Sequence, residues 1–232
     1  MESQLKEVLE RIPPLYLFAL KVKRRTHWSR NWVVTPHTDC VIEGFPRSAN
    51  SFALSAFEKA NSSLSIATHT HSPAQVVQAT RWNIPVMVCV RRPYDAVRGV
   101  LAFNWELNAR AISSSQESRI SSATVLAVFE RWYFFHQRIR KCRSRYYLAD
   151  FDRIISDFRG VSTEFVVWAG RGWSAWNPER VSAEKVMEGA FHIGPNALRE
   201  RLKQEVEIAI NSADVKPVLS RCEAVYRELM RH

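Results

Sequence analysis

The stretch over residues 41–52 has the residue types that bind an anion where a strand leads into a helix. Residues 41–45 predict a buried strand, and helical spacing begins at about Ser51. Backbone N–H groups in the turn between them, together with the positive end of the helix dipole, would point at a bound anion. The side chains of Arg47 and Ser48, and the hydroxyl of Ser51, would add further donors. The residue types therefore predict a phosphate-binding turn.

The turn lacks the Walker A spacing GxxxxGK[ST], because no Lys-Ser or Lys-Thr pair follows the strand. Two alternatives to a phosphate-binding turn therefore remain. An ordinary strand-to-helix turn capped by Ser or Asn is the first alternative. A P-loop kinase or hydrolase, with Arg47 in place of the Walker lysine, is the second.

A second apolar run, over residues 85–90, predicts another buried strand that ends in charged residues. In open parallel sheets, ligands bind at the carboxyl ends of the strands. Arg91 comes directly after this strand and is suited to bidentate pairing with a phosphate, while Asp95 would help to fix the loop. A purely structural Arg-Asp pair is the alternative.

Together, these two stretches resemble the nucleotide-binding signatures of the sulfotransferase family, which uses 3'-phosphoadenosine 5'-phosphosulfate (PAPS) as sulfuryl donor. The family's first motif runs Pro-Lys/Arg-Ser-Gly-Thr-Thr, and residues 46–51 read Pro-Arg-Ser-Ala-Asn-Ser. The second motif runs Arg-x-Pro-x-Asp, and residues 91–95 read Arg-Arg-Pro-Tyr-Asp. The resemblance covers residues 38–170 and implies a PAPS-dependent transferase that needs no metal.

The resemblance implies a role for each residue of these motifs. Arg47 would neutralise charge on the bridging oxygen of the donor, and Arg91 would hold the 3'-phosphate. Phe52 stands where the family has an aromatic ring that stacks on adenine. The full set of residues expected to bind the donor is Arg47, Ser48, Ala49, Asn50, Ser51, Phe52, Arg91 and Gly99.

Residues 68–73 read Thr-His-Thr-His-Ser-Pro and are similar to the family's Lys-Thr-His-x-Pro segment. On that match His71 is the catalytic base, and His69 takes the place of the family lysine. An imidazole suits this role because its ordinary pKa of about 6.5 lets it accept a hydroxyl proton near neutral pH. A metal-binding His pair is the alternative, although the segment has no further His, Cys or carboxylate at ligand spacing.

The chain departs from the family pattern at several positions. Gly99 stands where the family has a serine for the 3'-phosphate, and Arg98 is the candidate to compensate for it. Ala49 replaces the family glycine, which restricts the backbone if a positive φ is needed there. For the family's late Arg-Lys-Gly loop, residues 192–196 are the nearest candidate. These departures leave a non-catalytic nucleotide-binding relative as a further alternative.

Alternating apolar runs and helical stretches predict an α/β fold: a three-layer α/β/α arrangement with a central, mostly parallel sheet and a P-loop-like loop. Strands are expected over 41–45, 64–68, 85–90 and 146–149, with helices between them. We expect one domain over residues 1–232, because no linker or repeat divides it. Its parts would be an N-terminal helical and basic segment (1–37), a nucleotide-binding core (38–170), and a loop with C-terminal helices (171–232).

Composition adds limits on partners and compartment. The net charge of +10 favours an anionic partner, which leaves nucleic acid, a lipid surface or a phosphorylated small molecule open. The resemblance points to the last, with nucleic acid as a less favoured partner and a small molecule, glycan or lipid as acceptor. Four cysteines without CxxC spacing, and no signal peptide, fit a reducing, cytoplasmic location.

The N-terminal segment has apolar residues at helical spacing, followed by Pro13 and Pro14, a short apolar run and a basic cluster over residues 21–25. Such a segment could rest on a membrane surface. We prefer the alternative, in which it docks on the body of the domain.

Overall fold

The structure is a computed structural model, and it describes residues 2–24, 32–111, 120–187 and 197–231. It divides into two compact units, each described by itself below. The sheet unit comprises Met1–Val90 and Arg138–Phe191, and the helical unit comprises Arg91–Gln137 and His192–His232. The expectation of a single domain stays a prediction.

The elements follow one another along the chain as alternating helices and strands. In chain order they are α1 (Glu2–Glu10), α2 (Pro13–Arg24), β1 (Cys40–Gly44), α3 (Asn50–Ala60), β2 (Ile66–Thr68), α4 (Pro73–Arg81), β3 (Val86–Val90), α5 (Pro93–Ala111), α6 (Ser122–Arg140), β4 (Tyr147–Asp150), α7 (Phe151–Ser156), α8 (Phe158–Ala169), α9 (Ala183–Met187), α10 (Ala197–Ile210) and α11 (Lys216–Met230).

The four strands form one parallel sheet in the order β2-β1-β3-β4. In β1, Ile42 pairs with Thr68 of β2 on one side and with Met87 of β3 on the other. β4 joins the outer side of β3, where Ala149 pairs with Cys89. The central strands β1 and β3 are buried along their whole length, as expected for a sheet covered on both faces.

Helices cover both faces of this sheet. On one face Ile42, Met87 and Ala149 pack in a buried cluster that also contains Phe57 of α3 and Phe165 of α8. Neighbouring residues of a strand point to opposite faces, so the residues between them lie on the other side, where α4 packs against β1 and β3. The three-layer α/β/α class predicted from the sequence is confirmed.

Several helices begin at side chains that satisfy their first N–H groups. Ser72 caps α4 by accepting a hydrogen bond from the backbone N–H of Ala74, and Pro73 follows as the first helical residue. Asp150 caps α7 and Asp157 caps α8 in the same way. The acidic residues Asp150, at the end of β4, and Asp157 therefore serve as helix caps.

The N-terminal segment contains one helix more than the sequence indicated. The break at Pro13 and Pro14 is confirmed, but a new helix begins there, since a proline needs no hydrogen-bond acceptor in the first turn of a helix. This helix, α2, packs against α4 and buries Tyr16 and Leu17. Docking on the body of the sheet unit is thus confirmed. Among the described residues, no helix is long and apolar enough to cross a membrane.

In the helical unit, α5 packs against α10 and α11. A buried ion pair joins two of these helices: Nη2 of Arg199 lies 2.6 Å from Oε2 of Glu106, and both side chains are almost fully buried. In α6, Phe129, Trp132 and Phe135 are fully buried and belong to the core. The candidate late loop over residues 192–196 lies outside the described residues, as does the last residue, Arg25, of the basic cluster over residues 21–25.

We expect Glu106→Gln to lower the free energy of unfolding by about 3 kcal/mol, because it removes the negative charge beside a buried guanidinium. The matched control is Glu130→Gln. Its carboxylate pairs with Arg221 at 2.6 Å, but about half of each side chain is exposed, so the expected loss is under about 1 kcal/mol. Denaturant titration of the two variants measures the difference, and equal losses would contradict the prediction.

Candidate functional site

The turn between β1 and α3 has an unusual backbone conformation. Arg47 has a φ of 67° and Ala49 a φ of 68°, both in the left-handed region, whereas Ser48 between them lies outside it. Alternation of this kind turns successive backbone N–H groups toward one point and forms the anion-binding concavity called a nest. Positive φ is uncommon for residues other than glycine, so two instances so close together indicate that the surrounding structure holds the turn in this conformation.

Two contacts hold the turn in place. A Cβ atom at Gly44 would collide with the carbonyl oxygen of Cys89 on β3, so only glycine permits this close approach of the two strands. The side-chain amide of Asn50 donates from Nδ2 to the carbonyl oxygens of Gly44, at 3.2 Å, and of Phe45, at 3.1 Å. Asn50 thus ties the start of α3 to the end of β1.

The turn also has donors suited to an anion. Ser48 is fully buried, and its Oγ has no hydrogen-bond partner among the residues that the structure describes. The N–H groups of the first turn of α3, from Asn50 to Phe52, have no acceptor within the helix. Since a buried hydroxyl without a partner is costly, Ser48 is a candidate donor to a polar ligand.

His69 lies against this turn. Its Nε2 is 3.0 Å from Oγ of Ser51, and its Nδ1 is 2.9 Å from Oγ1 of Thr68. The ring of Trp32 packs edge-on against it, with 5.1 Å between the ring centroids. The structure therefore brings His69 to the turn between β1 and α3, where it contacts Ser51, the residue before Phe52.

A buried carboxylate that the sequence analysis did not single out organises this region. Glu43 lies in β1 with no exposed surface, and it accepts hydrogen bonds from the backbone N–H groups of Gly44 and Thr70, each at 3.0 Å. Oγ1 of Thr70 donates at 2.8 Å and Nε2 of Gln75 at 3.0 Å, and the N–H of His71 is 3.3 Å away. A charged residue inside the apolar run of β1 was the signal available in the sequence.

The carboxylate and the carbonyl beside it orient the candidate base. Nδ1 of His71 lies 2.8 Å from the carbonyl oxygen of Gly44 and 3.5 Å from Oε1 of Glu43. Because a carbonyl oxygen only accepts, Nδ1 carries a proton, and in the neutral ring Nε2 is the nitrogen that can accept one. About a third of the side chain is exposed, at 31%.

The charges of this pair shift both pKa values. Burial opposes charge on His71, but the hydrogen bond and charge of Glu43 outweigh it and raise the pKa of His71 above its ordinary value. Burial likewise opposes charge on Glu43, yet its hydrogen bonds and the charge of His71 hold the pKa of Glu43 below its ordinary value. The imidazole is therefore built to hold a proton well.

Three of the residues predicted to bind the donor have not yet been placed: Phe52, Arg91 and Gly99. Phe52 is half-buried, and its ring packs edge-on against Phe158, with 5.5 Å between centroids, and against Trp176 at 6.2 Å. Its proposed stacking on adenine stays a prediction. Arg91 is the residue after β3 and belongs to the helical unit, as does Gly99.

Within the helical unit, the acidic residue of the second motif pairs with Arg98. Nη2 of Arg98 lies 3.4 Å from Oδ1 of Asp95, and its Nη1 lies 3.5 Å from Oε2 of Glu207. Arg98 was the candidate to compensate for Gly99, and it already contacts two carboxylates. The expected roles of Arg91 and Arg98 at a 3'-phosphate stay predictions.

Among the described residues, the structure contains no group of three or more His, Cys, Asp or Glu side chains placed to hold a metal ion. Comparisons of the chain with protein-family models, with curated proteins and with solved structures found no match.

We expect Ala49→Gly to raise the free energy of unfolding by about 1 kcal/mol, because glycine adopts a φ of 68° without the clash of a Cβ atom. The control is Ala127→Gly at an exposed position within α6, which should lower the same quantity by about 1 kcal/mol. Denaturant titration measures both. Destabilisation of the same size at both positions would show that the left-handed conformation is absent in solution.

We expect Glu43→Gln to lower the pKa of His71, because the variant removes the charge that raises it. The same pair also makes the free energy of unfolding depend on pH. The stability that protonated His71 contributes is complete below an unfolded-state pKa of about 6.5 and is lost as the pH rises through the folded-state pKa. NMR titration of the imidazole measures the shift. Glu164→Gln, at an exposed carboxylate of α8 that bonds to Arg153, is the control and should leave the His71 titration unchanged.

Proposed function

We propose that this chain transfers a sulfuryl group from PAPS to a hydroxyl or amine of an acceptor. The observation that carries the proposal is the hydrogen bond from His71 to the carbonyl of Gly44. It joins a candidate base to the end of β1, the strand that leads directly into the anion-binding turn. A base and a phosphate cradle on one strand end are the two parts that transfer of an anionic group requires.

The turn supplies the binding of the anionic end of the donor. The nest formed by Arg47 and Ala49 directs backbone N–H groups at one point, and the Oγ of Ser48 is ready to donate to a phosphate or sulfate oxygen. The guanidinium of Arg47 would neutralise the charge that develops on the bridging oxygen as the sulfur–oxygen bond breaks. Such transfer forms little bonding to protein, so positioning and charge do most of the catalysis.

His71 supplies the proton acceptor. As the acceptor oxygen or nitrogen bonds to sulfur, its proton passes to Nε2 of His71, and the bond from sulfur to the bridging oxygen breaks. The products are the sulfated acceptor and 3',5'-adenosine bisphosphate. Protonation makes His71 cationic, and Glu43 at 3.5 Å stabilises that cation.

The nucleotide half of the donor is assigned from the sequence resemblance. Arg91 would pair with the 3'-phosphate, and Phe52 would contact adenine. Binding energy from this remote half would orient the reactive end. The absence of a serine at Gly99 removes one donor to the 3'-phosphate, which makes Arg91 the residue on which recognition of that phosphate depends.

Thermal unfolding with added nucleotides tests the proposal. At a concentration of about 100 times the dissociation constant, 3',5'-adenosine bisphosphate should stabilise the protein by about 2.7 kcal/mol, which corresponds to a rise in Tm of roughly 5–10 °C. No magnesium should be needed. Arg91→Ala should lose most of this shift, because it removes the partner of the 3'-phosphate. The control Arg92→Ala removes the same charge from the next, exposed position and should keep the shift.

The other outcomes are equally informative. His71→Ala should retain nucleotide binding and lose transfer, since it removes the base and leaves the turn intact. Stabilisation by ATP only when magnesium is present would favour a P-loop kinase or hydrolase and overturn the proposal. No stabilisation by the bisphosphate, or an equal shift in Arg91→Ala, would also contradict it.

A further inference from the structure

The first two helices carry a row of exposed apolar side chains. Phe18 is the most exposed of them, at 67%, and the others are about half exposed. The set comprises Val8 and Ile12, at α1 and the turn that follows it, and Leu15, Phe18 and Val22 on α2. Large apolar side chains clustered in this way on a surface mark a site of interaction.

The row lies on one side of α2. Leu15, Phe18 and Val22 are separated by three and four residues, so they fall on the same face of the helix. Tyr16 and Leu17 lie on the opposite side, where they are buried as α2 packs against α4. The apolar row is therefore the outer face of a docked helix, held in place by the sheet unit.

Basic residues accompany the row. Lys6, Arg11 and Lys21 are exposed, whereas in α1 the acidic Glu10 is fully buried and Glu7 is half-buried. The sequence continues over residues 21–25 as Lys-Val-Lys-Arg-Arg, and the whole chain carries a net charge of +10. An apolar face bordered by Lys and Arg is the pattern of a helix that lies in the interface of an anionic membrane.

We propose that α1 and α2 bind the surface of a bilayer that contains anionic phospholipids, with the side chains of Leu15, Phe18 and Val22 inserted at the level of the headgroups. The positive charge of this surface favours an anionic bilayer over a second copy of the chain as its partner. A second copy of the chain would bring two cationic faces together, and the like charges would oppose association. Anionic headgroups complement the same cations, while the acyl boundary accepts the apolar row.

The helices α1 and α2 belong to the sheet unit, which also contains the candidate base His71. Membrane binding does not depend on the proposed activity, and its test needs no nucleotide.

Co-sedimentation of the full chain with vesicles tests the proposal. The protein should pellet with vesicles of phosphatidylcholine containing about 30% phosphatidylglycerol and remain in the supernatant with phosphatidylcholine alone. Raising the salt from about 0.1 M to about 0.5 M should release most of the bound protein. The triple variant Leu15→Ser, Phe18→Ser, Val22→Ser should bind at least about tenfold more weakly, since each inserted CH₂ group contributes to binding.

The matched control removes three exposed apolar side chains elsewhere, in the variant Ile155→Ser, Val167→Ser, Ile208→Ser. It should bind vesicles like the wild type, and both triple variants should keep the wild-type Tm. Failure of the wild type to pellet with anionic vesicles would overturn the proposal, as would equal losses in the two triple variants. A concentration-dependent dimer that only the α2 variant abolishes, without vesicle binding, would assign the face to a second copy instead.

Discussion

The site depends on one buried charge, the carboxylate of Glu43 inside the central sheet. A carboxylate without surface exposure is tolerated only when donors surround it, and here the donors come from Gly44, Thr70, His71 and Gln75. These hydrogen bonds fix the backbone between β2 and α4. The positive φ values of His71 and its neighbour His69, 49° and 52°, persist because this network determines the path of the chain.

The conformation of the turn between β1 and α3 and the position of His71 are two results of the same local arrangement. The carbonyl of Gly44 accepts from Asn50 on the side of α3 and from His71 on the side of α4. A single residue at the end of β1 thereby connects the start of α3 with the loop that carries the imidazole of His71. In the function proposed above, this connection would place the anionic end of the donor next to the acceptor.

Sequence patterns were sufficient to predict the strands of the sheet, but not the hydrogen bonds that surround Glu43. The strand predicted over 85–90 is observed as Val86–Val90, because a short apolar run between breakers has few other conformations. The role of Glu43 could not be predicted, since its partner Gln75 lies 32 residues away, and only the fold brings the two together. Helix α2 was missed because a proline pair both ends one helix and begins the next. The roles of Arg91 and Phe52 come from the resemblance, and the structure does not test them.

Ala49 has a consequence for how the turn meets a ligand. A glycine at this position would let the unbound loop sample many backbone shapes, and binding would then have to restrict them. The methyl group of Ala49 narrows that choice, and the folded chain holds the residue in the conformation that the nest needs, with a φ of 68°. The strain is thus met once, during folding. In the function proposed above, the concavity would then be formed before the anion arrives, and the loop would lose less conformational entropy on binding and be less able to reshape itself around anions of different size.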